Sequence, residues 1–110
     1  MSFPKRGEIY WVNLDPTVGT EINKKRPGLV VSNDIGNEIS SRIIIAPITS
    51  NATKILPFEV GVEIKGKKGK VLLDQLRSID KMRIENGIAL LDDNTMSLVD
   101  EALKIALSLR

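Results

Sequence analysis

The sequence predicts an α+β fold, a small, strongly bent β-barrel of the SH3-like kind with five to seven short strands and one C-terminal helix. Three observations carry that expectation. Short runs rich in β-branched and aromatic residues recur between Gly7 and Leu91, separated by Gly, Pro, Asn and Asp. One run alternates cleanly, with Phe58, Val60, Val62 and Ile64 set against Glu59, Gly61 and Glu63. From Thr95 onward the apolar spacing changes to a helical period. A chain of 110 residues is expected to form one domain, residues 1–110, able to bury roughly two-thirds of the surface its unfolded form exposes.

Residues 7–14 read as the first strand, bounded by Gly7 and the Asp15-Pro16 turn, with both faces largely covered and the mid-strand Trp11 read as core packing ahead of the alternative, base stacking. Residues 28–32 read as a short buried strand after Pro27, whose missing N–H is tolerated at a strand start. Asn33 or Asp34 caps a brief helical turn toward Ile39. Arg42 to Thr49 is a third strand, in which Pro47 implies an edge or a bulge just before Thr49. Residues 50–57 form a loop ahead of the alternating strand, and Gly66-Lys67-Lys68-Gly69 supplies a solvated hairpin tip leading into Val71-Leu72-Leu73. Residues 88–91 add a last short strand. The helix spans Thr95 to Leu109, capped by Asp93 or Asn94. Its stripe of Val99, Ala102, Leu103 and Ala106 is widened by Leu98, Ile105 and Leu109, more apolar surface than a simple surface helix needs.

Composition narrows the chemistry. There is no cysteine, which removes disulfides, thiolate zinc sites and cysteine nucleophiles and fits a reducing, cytoplasmic setting. There is no histidine either, so proton transfer must fall to Asp, Glu, Lys, Arg or hydroxyls. No apolar run is long enough to span a bilayer, and Met1 to Lys5 carries no export signal. No carboxylate cluster has metal-ligand spacing, so neither metal nor other cofactor is expected. Net charge is only +2, yet it is unevenly spread: seven basic residues face two acids between Lys65 and Arg83, while four acids and no base lie between Asp92 and Glu101.

Arg26 stands at a loop exit, where a permanently charged, planar guanidinium suits phosphate oxygens and the extra negative charge of a five-coordinate phosphorus. The same residue could equally be one solvated charge in the Lys24-Lys25-Arg26 run. Thr49 either ends its strand or offers a hydroxyl to phosphate, and Ser50 and Asn51 extend that donor-rich edge. Glu21 either balances the lysines, pairs with Arg26, or accepts a ribose 2′-hydroxyl proton.

Four ordered segments decide between these readings: RGEIYWVNLDPTVGTE at residues 6–21, KRPGLVVSN at 25–33, IIIAPITS at 43–50 and VLLDQLRSIDKMRI at 71–84. Together they resemble the MazF/PemK family, bacterial toxins that are sequence-specific endoribonucleases of toxin–antitoxin pairs. The resemblance implies the SH3-like fold, a homodimer, and Arg26, Thr49 and Glu21 as catalytic residues. The loops at residues 16–25 and 50–57, with Thr20, Lys24, Lys25, Ser50 and Asn51, would contact RNA, and Gln75 would read a base. Asp74 matches an acid proposed as general base in some relatives. Those relatives carry an arginine where this chain has Leu72 and a histidine where it has Thr20, so Asp74 is read as structural.

The expected activity is metal-independent cleavage of single-stranded RNA by the ribose 2′-hydroxyl, leaving 2′,3′-cyclic phosphate and 5′-hydroxyl ends, restrained by an acidic antitoxin tail. The alternative is a non-catalytic, gyrase-poisoning toxin of the same fold, of the CcdB kind. Those act through the end of the C-terminal helix, and Ala106 to Arg110 lacks their Trp-Gly-Ile ending.

Overall fold

A computed structural model describes residues 3–110; the first two residues of the Met1–Lys5 stretch, read above as carrying no export signal, lie outside them. Seven strands, β1 (Glu8–Asn13), β2 (Lys25–Val30), β3 (Arg42–Thr49), β4 (Glu59–Ile64), β5 (Lys67–Leu72), β6 (Arg77–Asp80) and β7 (Ile84–Leu90), accompany two helices, α1 (Asp34–Ile39) and α2 (Asp93–Ala106). All pairings are antiparallel, in the order β4-β5-β3-β2-β1-β7, with β6 also on β3. The sheet curls into the expected SH3-like barrel.

Side chains alternate across a strand, and here both faces are used. One apolar cluster gathers Ile9, Leu29, Ala46, Ile48, Val60, Val71 and Leu73 beneath Val99 and Ala102 of α2. A second, on the other face, gathers Val12, Leu14, Val30, Ile43, Ile45 and Ile79. Arg6 ties the first cluster's rim together: its Nε donates to the Val31 carbonyl at 2.8 Å and its terminal nitrogen to Asp100 of α2 at 2.5 Å. No helix among the described residues is long and apolar enough to cross a membrane.

Several expectations are corrected. Strand β2 begins at Lys25, three residues early, with Pro27 inside it opposite Trp11. The ladder explains why this is allowed. The Leu14 N–H donates to the Lys24 carbonyl, so hydrogen-bonded pairs alternate through Val12/Arg26 and Tyr10/Gly28, and the Trp11/Pro27 pair needs no amide. Pro47 marks neither an outer edge nor a bulge. It pairs with Gly28 on one side, while on the other β3 passes from β6, ending at Ile45, to β5, beginning at Ile48, so its missing N–H falls in the gap.

The hairpin tip is Lys65-Gly66, both at positive φ (50° and 80°), because Ile64 pairs with Lys67. Lys67, Lys68 and Gly69 are therefore strand residues. Strand β6 is additional to the sequence reading, and β7 is longer than residues 88–91. The α2 cap is Asp92, whose side chain accepts the Thr95 amide at 2.7 Å and whose carboxyl is held below its ordinary range chiefly by that bond.

Candidate active site: a cationic groove across the curled sheet

The antiparallel registers place the groove. Trp11 lies opposite Pro27 across β1 and β2. Gly28 lies opposite Pro47 across β2 and β3; continuing that register by one residue sets Ile48 level with Pro27, and by two residues sets Thr49 level with Arg26. Trp11, Pro27 and Ile48 thus form an apolar row, with Arg26 and Thr49 in the next row. Beyond the last paired residues the strands separate, and a groove of about 590 Å³ opens over both rows.

Its far walls are the β4–β5 hairpin and the middle of β7. Ile64, Lys65, Lys67, Lys68 and Gly69 come from the β4–β5 hairpin, and Asn86, Gly87 and Ile88 from β7. The lining includes five cations, Lys25, Arg26, Lys65, Lys67 and Lys68, and no carboxylate. Such a surface attracts a polyanion.

Local bonds set the Arg26 and Thr49 side chains. The Arg26 Nε donates to the Asn23 carbonyl at 2.9 Å, which fixes the guanidinium plane and leaves its terminal nitrogens for a ligand. Thr49 Oγ1 accepts the Asn51 amide at 3.3 Å, so the hydroxyl proton remains available to a phosphate oxygen. Lys25 is partly neutralised by Glu85 at 3.0 Å. Gly69 lies against the end of β3: a Cβ there would sit 2.7 Å from the Thr49 carbonyl oxygen, a contact real side chains do not tolerate.

A nearly buried ion pair secures this wall. Lys70 is level with Thr49 and reaches Glu59 at 2.9 Å, the two side chains being 14% and 6% exposed. Lys70 also donates to the Lys54 carbonyl at 2.7 Å, and Glu59 accepts the Leu56 amide at 2.8 Å, so the pair holds the 50–57 loop. Burial pushes the Glu59 carboxyl up, but the Leu56 amide and Lys70 outweigh it and the net shift is downward.

The structure divides the residues that the sequence singled out. Arg26, Thr49, Lys25 and Ser50 meet in the groove. Thr20, Glu21 and Gln75 line a separate depression of about 330 Å³ with Ile22, Asp74, Leu76 and Arg77. Glu21 makes no ion pair with Arg26 among the described residues; its Oε1 accepts the Val18 amide at 2.6 Å. Gln75 accepts the Ile22 amide at 2.8 Å, so its carbonyl oxygen is already engaged. Lys24 and Asn51 line neither recess: Lys24 sits at φ 69° with its amide on the Asp15 carboxylate, and the Asn51 side-chain Oδ1 accepts the Thr53 hydroxyl. Among the described residues no group of three or more His, Cys, Asp or Glu is placed to hold a metal ion.

Trp11 is the main residue misread from sequence, being 42% exposed in the groove rather than packed in the core. The three lysines of the hairpin were also missed. The alternation ending at Ile64 offered the signal for them, since it starts the turn at Lys65 and leaves Lys67 and Lys68 on a strand.

A family model of PemK-like, MazF-like toxins of type II toxin–antitoxin systems matches residues 5–107. The chain belongs to this family. It is 44% identical over 110 residues to Endoribonuclease EndoA of Bacillus subtilis (strain 168), covering 96% of this chain and 95% of that protein. Its fold is similar to the crystal structure of MazF from Deinococcus radiodurans, with TM-score 0.86 and 31% identity over 99% of this chain and 100% of that one. A Deinococcus radiodurans MazE–MazF structure is also similar, with TM-score 0.78 and 29% identity over the whole of both chains. In this PemK/MazF member Arg26, Thr49 and Ser50 line one cationic groove.

Proposed function

We propose that this chain is a sequence-specific, metal-independent endoribonuclease of single-stranded RNA, the toxin of a type II toxin–antitoxin pair acting in the cytoplasm. The observation that carries this reading is the Arg26–Thr49 juxtaposition in a groove with five cations and no carboxylate in its lining. Single strands fit because their bases, 2′-hydroxyls and phosphates can all be splayed against a curved sheet.

The ribose 2′-hydroxyl attacks the adjacent phosphorus; the P–O2′ bond forms as the P–O5′ bond breaks. The 2′ oxygen loses its proton and the departing 5′ oxygen gains one, giving 2′,3′-cyclic phosphate and 5′-hydroxyl ends. Charge building on the non-bridging oxygens meets the Arg26 terminal nitrogens and the Thr49 hydroxyl proton, which lowers the barrier because both are in place beforehand. The depression lined by Thr20, Glu21 and Gln75 serves the flanking nucleotides, with Glu21 holding its own loop.

A homodimer is supported by apolar side chains left exposed on α2, just after it and on β7: Leu98 and Ile105, Leu109, and Leu90. Light scattering that shows a monomer at micromolar concentration would count against it. The MazE–MazF structures of a relative support an antitoxin partner, and an acidic segment would suit the same cationic groove. Such a segment should compete with RNA; simultaneous saturation by both would exclude a shared groove. The CcdB-like reading draws no support from any feature of the groove.

The test of the activity is incubation with a long single-stranded transcript in excess EDTA, with fragment ends mapped by primer extension. Defined fragments are expected, and a 2′-O-methyl sugar at the cut position should block cleavage. Efficient cutting of that modified RNA would rule out the chemistry.

A further inference from the structure

Trp11 is the chain's single tryptophan, and leaving 42% of it exposed forgoes the largest apolar contribution available to β1. Nothing in the packing demands this. Ile9 on the same face, and Val12 and Leu14 on the other, are at most 1% exposed. The backbone beside Trp11 is opened instead. Tyr10 pairs with Gly87 and Val12 with Ile84, so two β7 residues, Glu85 and Asn86, stand opposite Trp11 alone. Bulges of this kind re-aim side chains and recur beside functional sites.

We propose that Trp11 is a stacking platform for one nucleobase of the RNA, next to the phosphate gripped by Arg26 and Thr49. The proposal rests on the reading of the groove as the RNA site and adds a base-binding position to it. The indole lies level with Pro27 and lines the groove beside it, while Lys65, Lys67 and Lys68 on the hairpin wall would meet the adjoining phosphates. That combination of a π-face and unopposed cations suits a nucleotide chain better than an apolar peptide, which would leave the lysines unmatched. Every base has a π-face, so stacking contributes affinity without choosing the sequence.

The probe is a 2′-O-methyl oligonucleotide spanning the mapped cut site, titrated into the intact protein while tryptophan emission is followed. Because Trp11 is the only reporter, stacking should quench it in step with binding. Trp11→Ala should weaken binding about 5- to 150-fold, the range that base–aromatic stacking supports. Trp11→Phe should recover most of that, and the cut position should not move. Single-turnover cleavage at saturating RNA should change far less than affinity. Unaltered affinity in Trp11→Ala, with circular dichroism unchanged, would overturn the proposal. So would emission that stays constant through saturation, or an indole already shielded from iodide in the free protein, which would mean a second copy covers it. Quenching by an antitoxin peptide but not by the oligonucleotide would also overturn it. Failure of the unaltered protein to bind or cut any RNA would remove the groove reading itself, and is distinguishable because the Trp11 variants would then show nothing to lose.

Discussion

The groove and the depression beside residues 20–22 are both polar recesses at the ends of strands, yet they use their side chains differently. In the groove, Arg26 gives only its Nε to the backbone and Thr49 only an acceptor lone pair of its hydroxyl, which leaves the guanidinium's terminal nitrogens and the hydroxyl proton free. In the depression, Glu21 and Gln75 commit an acceptor oxygen to the Val18 and Ile22 amides. Residues that the sequence singled out together thus fall, once folded, into two separate recesses. The ladder makes the division: Arg26 and Thr49 lie two residues beyond the last β2–β3 pair, Gly28 with Pro47, whereas Glu21 and Gln75 lie outside the strands.

The largest effect expected from this contrast is on chemistry in the groove. Arg26→Lys keeps the charge and loses the planar fork, and should raise the barrier by about 2–4 kcal/mol, roughly 30- to 1000-fold in single-turnover rate. Thr49→Ala should act in the same direction. The double variant should lose less than the product of the two, since both groups face one phosphate; full multiplicativity would place them at separate points.

Next in size is the support behind Thr49. Lys70→Met leaves the Glu59 carboxylate buried without its cation and should destabilise the fold by about 3 kcal/mol in chemical denaturation. The pH dependence follows from the lowered Glu59 carboxyl. A folded-state value below the unfolded one stabilises above the unfolded range, about pH 4, and that stability fades as pH falls through the lowered value. Glu59→Gln should flatten this acid limb, and a limb of unchanged steepness would show that the pair does not hold the loop.

Gly69→Ala asks whether the close approach of β5 to Thr49 matters to the groove alone. A Cβ at 2.7 Å from the Thr49 carbonyl must displace backbone, and displacements of order 1 Å can lower rates about 100-fold. RNA binding should survive better than turnover, and equal loss of both would favour general disruption. The smallest effect lies on the opposite face of β1. Tyr10, the only tyrosine, has its hydroxyl pushed up to about 12 by burial and by its bond to Glu8. Its contribution to stability is intact below pH 10 and lost as pH rises through that value. Absorbance titration should find the late transition, unmoved by bound oligonucleotide; a shift on binding would extend the groove's influence through the sheet.

Much of this was legible in the sequence. Alternation from Phe58 to Ile64 marks β4, the Val99 and Ala102 stripe marks α2, and Asn33 caps α1 as expected. The loop-exit arginine and Thr49 stand out by residue type and motif. Strand β6 was not legible, since of Arg77-Ser78-Ile79-Asp80 only Ile79 is buried and one apolar residue has no period. Trp11 was misread because a strand run shows that both faces are covered but not where along the strand a cover ends. Pro27 and Pro47 suggested interruptions that the ladder absorbs, since amide demand depends on pairing parity and on the neighbouring strand. The division between groove and depression depends on register between strands far apart in the chain, which local patterns do not encode.

The most direct measurement sets the two recesses side by side: single-turnover cleavage of one mapped RNA by Arg26→Lys and by Glu21→Gln, each with its fold checked by circular dichroism. If the groove carries the chemistry and Glu21 holds its loop, Arg26→Lys falls roughly 30- to 1000-fold. Glu21→Gln, which keeps an oxygen for the Val18 amide, should fall less than about 10-fold, well short of the 100-fold or more that loss of a general base produces. An unchanged rate in Arg26→Lys beside a collapse in Glu21→Gln would contradict the account and move the chemistry to the other recess.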